Sequence, residues 1–272
     1  MKADPGATGA GGSTSSSSSK ARDWDASTYD QISAPQQAWA REQLERLHLC
    51  GDEVVLDAGC GSGKVTAMLV DLVPSGRVYA VDVAPSMVEH TKQALGDRVT
   101  AYCQDLTELA LPEPLDAIFS NATFHWVPDH PKLFAALASA LKPGGQLVAQ
   151  CGGFGNIDSF RITADEVARS GEFAPYFTDW KGPWNYARAD ITAERLGAAG
   201  FVDVETWLEP RPTTLDDPEP FVRTVCLVRH LDLLPEDLHQ SFIRAVLART
   251  GTPLTLEYVR LNMVARRAGE TR

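Results

Sequence analysis

Nine residues, LDAGCGSGK at 56–64, constrain this chain more than any other stretch. Three glycines at alternating positions, Gly59, Gly61 and Gly63, follow a short apolar run at 54–56 and precede a helix-like run at 65–73. Glycine permits the left-handed turns of a tight strand-to-helix connection and lets a ligand approach bare backbone, while the helix that follows offers unbonded N–H groups. A phosphate-cradling P-loop needs Gly-x-x-x-x-Gly-Lys-Ser/Thr, but Ala58 stands five before Gly63 and Val65 follows Lys64, so that reading fails. A dinucleotide fingerprint beginning at Gly59 wants Gly or Ala where Lys64 stands, which weakens a nicotinamide-dependent oxidoreductase without removing it. What remains is D-x-G-x-G-x-G. Asp57 closes the apolar run, and an ionised carboxylate there suits a cationic ligand better than a pyrophosphate. Asp82 lies 19 residues beyond Gly63, at the end of VYAVD, where an acid can accept both hydroxyls of a ribose.

The surrounding pattern supplies the fold class. Strands are expected at 54–56, 78–81, 99–102, 115–119 and 146–150, and helices at 65–73, 87–95 and 131–141, with Ser86 and Glu89 as a capping-box pair and Lys142-Pro143-Gly144-Gly145 as a turn. Strand and helix in alternation predict an α/β, doubly wound, mostly parallel sheet covered on both faces, with ligands beyond the carboxyl ends of its strands. Ahead of it a helical stripe runs over 38–47. Behind it the order weakens into an aromatic and proline-rich stretch at 154–190, then resumes as a helix at 191–199, a strand at 202–208, helices at 218–228 and 235–249, and a strand at 258–265. Residues 1–21, with serines throughout 15–19, have nothing apolar to bury and are expected to be a disordered tail before one domain at 22–272.

The segments LDAGCGSG, YAVDVAPSMV, CQDL, FSNATFHWV and LKPGG resemble, in order and spacing, the class I S-adenosylmethionine-dependent methyltransferases over residues 24–150. In detail the chain is most similar to the trans-aconitate methyltransferase group, and also to malonyl-carrier-protein and juvenile-hormone-acid methyltransferases, all of which methylate carboxylates. The resemblance implies S-adenosyl-L-methionine as cofactor and an antiparallel last strand. It implies that Gly59, Cys60, Gly61 and Gly63 face the methionine part, Asp82 the ribose, and Val83 and Met87 the adenine. Gln104, Asp105 and Leu106 would hold the adenine edge, Asn121 and Ala122 would lie near the methyl, and Tyr29 and Gln36 would close the amino-acid end.

The acceptor's acidity decides what else the chain must supply. A carboxylic acid, with a pKa near ~4, is ionised at neutral pH and needs positioning but no base. His125 and Trp126 can then offer ring N–H groups, as an HW or QW pair does in those families. A phenol, alcohol or amine would instead use His125 as base, and a non-catalytic module that binds the cofactor is the reading from another class. The trans-aconitate enzymes carry arginines in the leading helix, Glu-Arg-Thr-Arg-Pro, where this chain has Ile32-Ser33-Ala34-Pro35-Gln36-Gln37, which points to a less charged acid or another small metabolite. The segments 154–190 and 211–250 are the expected substrate covers.

A formal charge of −11 argues against a nucleic-acid partner, and no apolar run is long enough to span a bilayer. The five cysteines are scattered, without metal-ligand spacing, so no metal is expected. A cytoplasmic monomer or weak dimer acting on a small-molecule acceptor is the expectation.

Overall fold

The computed structural model describes residues 34–269. The proposed tail at 1–21 and Tyr29 lie outside the described residues, as does the side chain of Gln36.

A helix, α1 (Ala34–Leu44), leads into the sheet. Then follow β1 (Val54–Ala58), α2 (Lys64–Leu72), β2 (Arg77–Asp82), α3 (Pro85–Leu95), β3 (Thr100–Cys103), β4 (Leu115–Asn121), α4 (His130–Ala140) and β5 (Leu141–Gly152). Beyond these come α5 (Asp158–Ala168), α6 (Ala189–Ala198), β6 (Phe201–Pro210), β7 (Thr213–Leu215), α7 (Pro218–Phe221), α8 (Val228–Leu231), α9 (Glu236–Leu247), β8 (Leu254–Leu256) and β9 (Val259–Arg267). The main sheet has the order β3-β2-β1-β4-β5-β9-β6, with β9 the single antiparallel strand between β5 and β6. The doubly wound α/β class and the antiparallel last strand expected from the sequence are both present.

Strand periodicity explains why helices cover both faces. Successive side chains of a strand point to opposite sides. Val55, Val78, Ala80, Ala117 and Phe119 therefore pack with Leu69, Val88 and Leu44 on one face. Leu56, Tyr79, Val81 and Ile118 pack with Leu133, Phe134, Leu137 and Leu196 on the other. The order turns at β1, which pairs with β2 on one side and β4 on the other, so the reversal point lies at the carboxyl ends of β1 and β4.

Four local readings need correction. The capping box does not form, because Pro85 begins α3 and Ala84 is its N-cap, with no side-chain capping bond. The Lys142-Pro143-Gly144-Gly145 turn is an excursion within β5, between the pairs Leu115↔Leu141 and Ala117↔Gln146. The helix expected at 218–228 breaks into α7, a π-turn at Val222–Cys226 closed by Leu227 N–H on Val222 O, and α8. The stretch at 154–190 contains α5, whose buried Phe160, Ala164, Val167 and Ala168 repeat at helical spacing.

A separate apolar cluster holds α5, α7, α8, α9 and the small β7-β8 sheet together and joins them to Trp39 of α1. No helix among the described residues is long and apolar enough to cross a membrane.

Candidate functional site

The glycine loop is folded back onto the end of β2. Gly59 N–H and Cys60 N–H both donate to Val81 O, at 2.7 and 3.0 Å. Gly59, Gly61 and Gly63 all have positive φ, at 88°, 52° and 84°. A Cβ on Gly59 would collide with the Thr123 side chain, whereas one on Gly61 would meet nothing within 4 Å among the described residues. Gly59 is thus required by packing across the reversal point, and Gly61 borders open space.

Asp82 braces this loop. Its Oδ2 accepts from Gly61 N–H at 3.0 Å and its Oδ1 from Ala84 N–H at 2.9 Å. Burial raises its carboxyl above the ordinary value, while those backbone donors oppose the rise. A carboxylate has about four acceptor sites, so capacity remains for hydroxyls. Asp57 sits behind the loop rather than in front of it. It is buried, its Oδ2 accepts from Thr66 Oγ1–H at 2.7 Å, and burial together with the nearby Asp82 charge pushes it up to about 7. Cys60 is also buried, and burial lifts its thiol well above the usual range, so it presents no thiolate.

Past β2, Val83 is 48% exposed while Met87 and Leu106 are buried. Asp105 caps the short 3-10 turn Leu106–Glu108, accepting from Thr107 N–H at 2.8 Å. The Gln104 side chain is a loop clamp: its amide donates to Ala110 O and its Oε1 accepts from Ala110 N–H, at 3.1 and 3.0 Å. One N–H and one lone pair of that amide are thereby engaged within the loop.

The end of β4 closes the other wall. Ser120 Oγ–H donates to Ala58 O at 2.6 Å, tying β4 to β1. After Asn121, Ala122 takes a left-handed φ of 59° and donates its N–H to Gln150 O at 2.7 Å. This kink sends the chain into the 3-10 turn Phe124–Trp126, which carries His125 and Trp126. His130 steadies the turn from α4, its Nε2 bonding Phe124 O at 3.0 Å.

His125 itself is buried, and Gly152 N–H donates to its Nδ1 at 3.3 Å. An Nδ1 that accepts leaves the ring proton on Nε2. Burial, reinforced by the positive charge of Arg260, holds the ring well below its ordinary pKa, so it is neutral at pH 7.

Over this turn lies the aromatic part of 154–190. Tyr186 stacks on His125 at 5.7 Å, Trp184 stacks on Tyr186 at 6.0 Å, and Trp126 meets Trp184 at 6.1 Å. Asn185 N–H donates to His125 O at 2.8 Å, pinning the segment to the turn. The sequence reading missed Thr66, Thr123, Gln150 and Arg260. Thr123 lies within FSNATFHWV and Thr66 one turn into α2, without a signal of their own, while Gln150 and Arg260 are brought together only by the pairing of β5 with β9. Among the described residues, no group of three or more His, Cys, Asp or Glu is placed to hold a metal ion.

Comparison with known proteins bears on this geometry. The sequence profile of a family described as "Methyltransferase domain" matches residues 55–145. The trans-aconitate 2-methyltransferase of Azoarcus sp. (strain BH72) is 31% identical over 235 residues, which cover 82% of this chain and 87% of that enzyme. The malonyl-[acyl-carrier protein] O-methyltransferase of Anoxybacillus flavithermus is 34% identical over 173 residues, 60% of this chain, and the match spans 66% of that enzyme's length. Among solved structures, phosphoethanolamine N-methyltransferase 2 of Haemonchus contortus, in complex with S-adenosyl-L-methionine, is similar in fold, with a TM-score of 0.56 and 18% identity over 90% of this chain and 57% of that one.

Proposed function

The chain belongs to the class I S-adenosylmethionine-dependent methyltransferases, and from that membership we propose that it methylates a carboxylate oxygen of a small-molecule acid. The cofactor's place is the crevice beyond β1 and β4. Residues fit it there: open space stands beside Gly61, Asp82 keeps acceptor capacity, and Val83 is exposed next to it. The backbone at Gly59, Cys60 and Gly61 would hold the methionine part, Asp82 the ribose, and Val83, Met87, Asp105 and Leu106 the adenine, with Asn121 and Ala122 toward the reacting end. S-adenosylmethionine supplies, when bound, a methyl group made electrophilic by its sulfonium.

The observation that carries the carboxylate reading is the state of His125. With Nδ1 occupied by the Gly152 N–H and the ring held neutral, it is a hydrogen-bond donor through Nε2–H and a poor base. A donor orients an acceptor that is already ionised, and a phenol or amine would be left without a proton acceptor. Trp126, in the same turn, supplies an indole N–H. The aromatic segment at 154–190 and the helical segment at 211–250 cover the acceptor and exclude water, which strengthens each polar contact and favours alignment. The acid acceptors in the names of the two curated relatives support the same reading.

Release of S-adenosylhomocysteine across a panel of carboxylic acids, phenols and amines tests it. Turnover is expected with acids, at a rate nearly independent of pH between 6 and 9 when cofactor is saturating. His125→Gln, which keeps a donor, should retain more activity than His125→Phe. Turnover confined to phenols or amines, rising with a pKa that disappears in His125→Gln, would restore the base mechanism. Tight cofactor binding with no turnover on any acceptor would favour a non-catalytic module.

A further inference from the structure

We propose that Arg260 is the specificity-determining residue for the acceptor, receiving the carboxylate of an acid built on an apolar or aromatic body. The inference rests on the carboxylate reading above and names the residue that selects the charge.

Arg260 is the second residue of β9 and pairs with Gly152, the last residue of β5, so it stands at the carboxyl edge of the parallel strands, where the crevice opens. Among the described residues it is the only buried Lys or Arg, 3% exposed. Its Nε donates to Gln150 Oε1 at 3.1 Å, and its guanidinium lies over the Trp39 ring, 4.9 Å from the centroid. Gln150 is aimed in turn by a bond from its Nε2 to Asn262 Oδ1 at 2.7 Å, and Asn262 Nδ2 donates to Glu209 Oε2 at 3.2 Å. The guanidinium is therefore oriented by a chain of polar groups on β5, β9 and β6. Its charge is felt at His125, Tyr186 and Cys151, which places it beside the turn and the aromatic wall that face the acceptor.

Little water screens a buried guanidinium, so a carboxylate that reaches it is attracted more strongly than it would be at the surface. Guanidinium suits a carboxylate because its planar fork matches two oxygens and it cannot lose its proton. The other surfaces nearby are ring faces, those of Tyr186 and Trp184 in a stack 8° from parallel. One buried cation next to a ring wall recognises a single carboxylate on a flat or aliphatic body rather than a polyacid. Methylation removes the charge that Arg260 recognises, so the ester product is held less tightly than the acid.

The test measures binding of phenylacetate, octanoate and their methyl esters by calorimetry with S-adenosylhomocysteine present, alongside KM and kcat for the acids. Wild-type protein should bind each acid at least about tenfold more tightly than its ester. Arg260→Met should abolish that preference and raise the acid KM about tenfold or more, with a smaller change in kcat, and Arg260→Lys should restore part of it. Unchanged cofactor affinity and far-ultraviolet dichroism in both variants establish that the fold is kept; if Arg260→Met misfolds, the Arg260→Lys comparison carries the result. A wild type that prefers acids while the variants keep the same preference and KM overturns the inference alone. A wild type that neither binds nor methylates any acid overturns the carboxylate reading and this inference together.

Discussion

Gly59 and Gly61 lie two residues apart and answer to different forces, which makes their alanine variants separable. At Gly59 both the backbone, with φ of 88°, and the Thr123 side chain oppose a Cβ. At Gly61, among the described residues, only the backbone does, with φ of 52° and no neighbour within 4 Å, a conformational cost of about 1–2 kcal/mol. Gly59→Ala should lower thermal stability by clearly more than Gly61→Ala. Gly61→Ala should keep most of the stability and still lose cofactor affinity about tenfold or more, because its new methyl enters the space the ligand needs. Melting curves and calorimetry on the two variants check this, and equal losses in both quantities would contradict the division. Asp57 shows the same lesson from the opposite direction. The sequence offers it as a ligand for positive charge, but the folded chain turns it inward to Thr66.

At the scale of elements, the sheet and the proposed cover are distinct packing units. The cover is built on rings: Phe242 of α9 is fully buried, stacked on Phe177 at 5.8 Å and edge-on to Phe173 at 5.1 Å. Truncating a buried phenylalanine costs about 3–5 kcal/mol. Phe242→Ala should therefore lower stability by that order and loosen the cover, raising KM for the acceptor while changing cofactor affinity less than about threefold. A variant that loses cofactor affinity as strongly as acceptor affinity would show that the cover and the glycine loop are one unit. Helix α5 was legible in principle, since Phe160, Ala164, Val167 and Ala168 keep the helical period. The rings and prolines that follow it carry no such period and mask the signal. The expected capping box is absent for a different reason: Pro85 fits the first helical position, which places Ser86 inside the helix and leaves Ala84 at the cap.

Across the whole molecule, two buried groups give stability opposite slopes with pH. Folding depresses His125, so the unfolded chain binds more protons below the ordinary value of 6.5; the stability held above that value is lost as pH falls toward the folded pKa. Asp57 has its folded value raised from 3.8 to about 7, so the stability it confers is complete below 3.8 and is lost as pH rises through 7. Asp57→Asn should consequently gain on wild type as pH increases from 4 to 8, by an amount on the order of 4 kcal/mol if the carboxyl stays buried throughout. Urea titrations of both proteins across that range measure the gap, and a gap independent of pH would show that Asp57 is solvated.

Order along the chain fixed what depends on neighbours in sequence: the alternation of strand and helix, the glycine loop with its acid one strand on, and the family to which these belong. Such features are local because hydrogen-bond periodicity, turn chemistry and ligand loops are each confined to a few successive residues. The surroundings of His125 and Arg260 were decided only by tertiary structure. His125 is neutral because burial and the nearby Arg260 charge disfavour its protonated form, its Nδ1 accepts a hydrogen bond from the N–H of Gly152 on the next strand, and Arg260 reaches the carboxyl edge because β9 inserts antiparallel between β5 and β6. Those contacts join residues far apart in the chain, and the desolvation that sets their charge states exists only once the sheet, the turn and the cover have closed around them.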